Sequence, residues 1–166
     1  MTGKARTFAL ALCVAAILVA VWVPVASAGH AQKAEGTWTW VNSSFSTRDV
    51  DSGSQYAIGD EEGTWVGTFT GTSHDDFAGV IPPDQSIGGA LTVVFHGRVN
   101  HARGTMVMFL TWWAPFTSLF MDGTWEIVYT SRGLEHLRGS GTWVSLLDET
   151  GTPISAADYT GKLWKD

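Results

Sequence analysis

The tripeptide Gly-Thr-Trp stands at positions 36–38, 63–65, 123–125 and 141–143, and each copy opens a run in which large residues alternate with small or polar ones. Successive side chains of an extended chain point to opposite faces, so the Gly and Trp of each copy share one face and the Thr takes the other. Alternation of this kind, rich in aromatic and β-branched residues, marks half-buried strands. Its recurrence predicts an all-β fold: a closed antiparallel barrel of about eight strands around an aromatic interior.

The first residues read as a targeting signal. Lys4 and Arg6 form a basic start, residues 8–23 are uninterruptedly apolar, and Pro24 precedes Ala26-Ser27-Ala28, a small-residue cleavage pattern. We therefore expect a signal peptide at 1–28, a short leader at 29–35 and a single barrel domain at 36–166, secreted or otherwise extracytoplasmic. A retained anchor is the rival, because 8–28 is just long enough to span a bilayer. Cys13, the one cysteine, lies in this segment, so the remaining chain must hold without disulfides. Losing Lys4 and Arg6 lowers the basic count from 10 to 8 against 16 acids, a net charge of about −8. That balance argues against nucleic acid and anionic lipid surfaces as partners.

Strand candidates fall at 37–46, 55–70, 72–81, 90–96, 104–113, 123–130, 141–147 and 157–164. Turn chemistry separates them: Asp51-Ser-Gly-Ser, Pro82-Pro-Asp, 100–104, Arg132-Gly133 and 148–153. One helical turn is expected at 134–137. Gly59, Gly63, Gly67 and Gly71 share a face with Glu61, Trp65 and Phe69, a pattern that lets a strand bend while aromatics cross its bare backbone. The glycine-bearing face also collects Trp38, Trp40, Met106, Met108, Leu110, Trp112, Trp125, Ile127, Tyr129, Trp143 and Leu147; threonines dominate the other. The aromatic face is assigned inward, since exposing it would create a large apolar patch. A membrane barrel would reverse this, but its lumen face should be richly polar and its aromatics confined to two girdles.

Gly123-Thr-Trp-Glu-Ile-Val, then Arg132-Gly-Leu-Glu-His-Leu-Arg-Gly-Ser-Gly-Thr-Trp143, then Tyr159-Thr-Gly-Lys-Leu-Trp164 resemble the closing half of an uncharacterised bacterial domain family with the allene oxide cyclase-like, calycin-type barrel. In that family a Gly-Leu-x-x-Leu-Arg-Gly-x-Gly segment joins two strands, and residues 61–71 resemble its early glycine-rich strand. The resemblance implies the fold and permits, without establishing, a cyclase or isomerase activity. Gly36-Thr-Trp also resembles the openings of lipocalins and avidins. The lipocalin arginine and the avidin biotin contacts are missing, so architecture is shared more readily than ligand.

Barrels of eight strands hold one small molecule or fill with side chains. The first alternative makes Trp38, Trp40, Asn42, Trp65, Phe69, Trp112, Trp125, Tyr129 and Trp143 candidate ligand contacts for a small apolar or aromatic molecule, with Ser44 and Ser145 as further polar groups on the same face. Glu61 and Tyr129 are the candidate catalytic groups: a carboxyl beside Trp65 and Phe69 would have a raised pKa and could move protons. The rival for Glu61 is an exposed strand start beside Asp60 and Glu62. The uncharged segment 112–121, from Trp112 to Met121, reads as a lid, a plug, or a contact for a protein or a second copy. No cofactor is expected and no metal: His96 and His101 lack a convincing third ligand, and His74-Asp75-Asp76 reads as a solvated bend. Binding ranks first, a packed interaction module second and catalysis third.

Overall fold

The alternation organises the whole ring. A computed structural model describes residues 30–50, 53–83, 86–115 and 120–166, and its strands are β1 (Gln32–Asp49), β2 (Gln55–Gly67), β3 (Phe69–Ile81), β4 (Ser86–Val99), β5 (Ala102–Pro115), β6 (Asp122–Ser131), β7 (Leu137–Leu147) and β8 (Pro153–Lys165). Each pairs antiparallel with the next, and β1 pairs with β8 through Gln32↔Leu163 to Thr39↔Ala156, closing the barrel. The signal-peptide segment 1–28 lies outside the described residues. β1 already begins at Gln32, within the stretch expected to be a leader, because its first residues complete the ladder with β8.

The strand ends Asp49 and Gln55, Ile81 and Ser86, Pro115 and Asp122, and Leu147 and Pro153 lie at one end of the barrel, which we call the mouth. The other end carries both ends of the described chain and the connections at 68, 100–101 and 132–136. There Leu134 and Leu137 are buried and plug the ring, in a turn where the Leu137 N–H donates to the Leu134 carbonyl at 3.0 Å. The one-turn helix expected there is this hydrogen-bonded turn.

Above the plug the indoles and phenyl rings pack at aromatic distances. Phe69 stacks on Tyr159 with ring centroids 4.9 Å apart, and Trp125 meets its edge at 5.6 Å. Trp65 stacks on Trp38 at 5.2 Å. Buried indole N–H groups need acceptors, and three find them: Trp65 donates to Ser73 Oγ at 2.8 Å, Trp125 to the Thr160 carbonyl at 3.1 Å, and Trp143 to the Thr111 carbonyl at 3.0 Å. The Tyr159 hydroxyl accepts the Phe69 N–H at 2.9 Å. Outside, threonines pair across strands, as Thr111 does with Thr124 at 2.8 Å.

Pairing is irregular at three places, and at two of them one extra residue reverses parity. The register of β1 slips between Asn42 and Ser44, so Phe45 joins the interior side, stacked on Phe77 at 6.1 Å, while Ser44 turns outward to donate to Asp60 Oδ2 at 2.6 Å. On β6 the partner of Val107 is Tyr129 but that of Met108 is Ile127; Val128 is extra and Tyr129 faces solvent, 56% exposed. Between Ser145 and Leu147 the pairing steps from Ala157 to Pro153, so the extra residues lie on β8, and Leu147 at the end of β7 is exposed rather than inward as expected. One inserted residue reverses every side chain beyond it. The border between the second and third strands also differs: the chain turns at Gly67 (φ +114°), a conformation that favours glycine, rather than at Gly71.

Candidate functional site

Large side chains do not fill the mouth. A cavity of about 340 Å³ opens there, walled by Trp38, Trp40, Leu91, Trp112 and Trp143, with Asn42 and Phe45 from β1, Phe77 from β3 and Ile87 from β4. Ala114 and Met121 flank the incompletely described connection from β5 to β6 and line it too. The Met121 N–H donates to Ser145 Oγ at 2.8 Å, and the Ser145 N–H returns a bond to the Met121 carbonyl, tying Met121 to β7. A second depression of about 410 Å³ lies at the plugged end, around Asn100, His101, Leu134 and Trp164. Leu134, Leu137 and Leu163 close it off from the interior, so the smaller cavity is the one that enters the barrel.

Of the sequence-derived candidates, Trp38, Trp40, Asn42, Trp112 and Trp143 line this cavity, and so does Glu61. Trp65, Phe69 and Trp125 belong to the packed half below it. Tyr129 is corrected outright: the β6 irregularity puts it outside the barrel, away from any interior chemistry.

Glu61 is buried rather than at an exposed strand start. Its cross-strand partners are Asn42 on β1 and Asp75 on β3. Asp75 is fully buried, and neither of its oxygens has a hydrogen-bond partner among the described residues. The sequence reading missed it by taking His74-Asp75-Asp76 for a bend. The segment is instead straight strand, and counting by twos from Phe69 places Gly71, Ser73, Asp75 and Phe77 on the inward face.

Two acids stand directly opposite on an inward face, and burial dominates the titration of each. Burial pushes Glu61 up to about 7, and the Asp75 charge adds to the rise. Burial likewise raises Asp75 to about 6; Ser73 lies near enough to offset part of this, though outside ordinary hydrogen-bond geometry. Both acids therefore lose their protons near neutrality, Asp75 before Glu61.

Gly63 makes room for this arrangement. A Cβ there would stand 2.2 Å from Ser73 Oγ, 2.7 Å from Trp38 Nε1 and 3.1 Å from Asp75 Oδ2. Because Ser73 Oγ already accepts the Trp65 N–H and Trp38 is wedged between Trp65 and Trp143, neither can withdraw freely. Gly63→Ala is expected to lower stability by about 1–3 kcal/mol, read as a drop of the thermal midpoint of roughly 4–12 °C. An unchanged midpoint would show that this corner is loose.

On the outer face of the same strands, Asp60, His74 and Asp76 bring ligand-type atoms within 4.8 Å of one another. His74 Nδ1 stands 3.0 Å from Glu62 and Nε2 3.8 Å from Asp76, which raise its pKa, the hydrogen bond to Glu62 first. This exposed set is a charge ladder on the barrel wall. His96 Nδ1 lies 3.0 Å from Thr105 Oγ1 across β4 and β5.

The sequence matches no protein-family model and no curated protein. Among solved structures it is similar to a protein of unknown function from the DUF3224 family of Shewanella oneidensis MR-1, at TM-score 0.63 and 12% identity, over 82% of this chain and 98% of that one. At that identity the likeness shows the barrel fold alone. The neighbour is itself from an uncharacterised family.

Proposed function

We propose that the barrel binds one small, flat, largely apolar molecule at its mouth, with Glu61 as the polar group that orients it. The observation carrying this reading is the cavity itself: about 340 Å³, walled by four indoles, with a carboxyl on its lining. Ligand sites combine those features, an apolar wall with few polar groups, at volumes of roughly 300–1,000 Å³. Burying about 200 Å² of apolar ligand surface supplies roughly 5 kcal/mol, of which association consumes a part. A simple aromatic probe should then bind with a Kd on the order of 1 mM.

Titration with 1-naphthol should quench tryptophan emission saturably, and Ile87→Trp, which fills the mouth, should abolish the effect. Equal quenching of both proteins would sink the proposal. Native mass spectrometry of the protein from its own host tests it independently by looking for a co-purifying small molecule. The same mass reports whether the chain begins at Gly29, as expected for a cleaved signal and an extracytoplasmic site of action.

The buried acid pair favours a second reading, confinement catalysis of the cyclase or isomerase kind that the allene oxide cyclase-like resemblance permits. Glu61 would then exchange a proton with the substrate, so Glu61→Gln would bind but not turn over. A third reading, an interaction module docking through 112–121, draws on the exposure of Trp113.

A further inference from the structure

Among the described residues, the buried charged side chains are Glu61 and Asp75, and no lysine, arginine or histidine lines the cavity or is buried beside them. None of the ion pairs, Lys33–Glu35, His74 with Glu62 and Asp76, and Arg138–Asp166, involves either acid. A buried acid pair without a counter-charge is unfavourable, and directly opposed like charges add to that. Among the described residues the unpartnered buried side-chain atoms are both Asp75 oxygens and the indole N–H groups of Trp38 and Trp112. Both indoles and Glu61 line the cavity, while Asp75 stands behind Glu61 and does not itself line it.

We propose that the mouth cavity takes an organic monocation, a protonated amine or quaternary ammonium on a small apolar body, with its charged head at Glu61, backed by Asp75, and its body among Trp40, Trp112 and Trp143. This deepens the reading of the cavity as a ligand site and rests on it. A cation supplies the charge the acids lack, and indole faces attract cations while also packing against an apolar body. A hard metal ion fits poorly, because it requires about six oxygen ligands and the cavity lining offers Glu61 and the Asn42 amide among aromatic walls.

The groups facing Glu61 set the pH dependence. Inside the barrel these are the neutral Asn42 from β1 and Asp75 from β3; behind them on the outer face stand Asp60, Glu62, His74 and Asp76. A cation favours the ionised acids, so affinity rises as pH passes from about 5 to about 8 while a primary amine stays protonated. Loss of the His74 charge over that range acts in the same direction.

The test compares phenethylamine with propylbenzene, its neutral isostere, by calorimetry and tryptophan emission on the intact protein. At about pH 8 the amine should bind at least roughly tenfold more tightly, and the preference should shrink toward unity at about pH 5 and in Glu61→Gln. Equal binding of both probes overturns the cation assignment while leaving the cavity a ligand site. Binding of neither at millimolar concentration overturns both. Should Glu61→Gln fail to fold, the pH series on the unaltered protein decides, since a preference that does not vary with pH also overturns the assignment.

Discussion

Lowering the pH from about 8 to about 5 should make this protein more stable. Glu61 and Asp75 titrate in the folded chain at about 7 and about 6, against ordinary values of 4.5 and 3.8. Between about pH 4 and pH 7 the folded state therefore holds more protons than the unfolded state, and stability falls as pH rises. The contribution is complete below the ordinary carboxyl range and is lost as pH climbs through the two raised values. Its ceiling is about 3 kcal/mol per acid; water entering the open cavity reduces that, leaving roughly 2–4 kcal/mol together, or about 10 °C in thermal midpoint. His74, held protonated by Glu62, acts in the same sense. Asp60 and Asp148 oppose it only in more acid solution, since hydrogen bonds from Ser44 and Thr150 hold them below the usual range. Asp75→Asn should be more stable than the parent at about pH 8 and show a flatter profile. A midpoint that rises with pH over this window would place both acids in water.

The other large effect is mechanical. Phe69→Ala should lower stability by about 3–5 kcal/mol, enough to unfold much of a domain whose total margin is about 5–15 kcal/mol. Phe69 is fully buried and its ring touches four others: Tyr159 at 4.9 Å, Trp125 at 5.6 Å, Trp65 at 5.9 Å and Phe95 at 6.1 Å. These belong to four other strands, so a void here releases the packed half of the barrel from several directions at once. Denaturant unfolding of the variant measures the loss. A change below about 1 kcal/mol would mean that the surrounding rings collapse to fill the space.

The two predictions divide the interior as the molecule does, into a dry aromatic half that supplies stability and a mouth that gives some of it up. Uncompensated acids at a cavity are what a binding or catalytic site retains against stability.

Much of this was legible beforehand. Alternation around the Gly-Thr-Trp repeats assigned Trp38, Trp40, Trp65, Trp125 and Trp143 to the inside, where all five are buried. Glu61 stood out as a carboxyl in an aromatic row. Asp75 was equally readable by counting from Phe69, but its charged neighbours His74 and Asp76 suggested a solvated bend, because local polarity was weighed above strand parity. Tyr129 could not be placed this way. Whether β6 carries an extra residue at Val128 depends on how β5 pairs with it, and no pattern within β6 alone contains that information.

Composition and period two by themselves determined that the chain forms strands, which faces they bury and that those faces are aromatic, because side-chain direction in an extended chain is a local property. Tertiary structure alone decided where the rings fill the barrel and where they leave a cavity, and that Glu61 meets Asp75 across a strand pair. Those outcomes hang on register between strands, and a single residue's slip reverses every side chain beyond it.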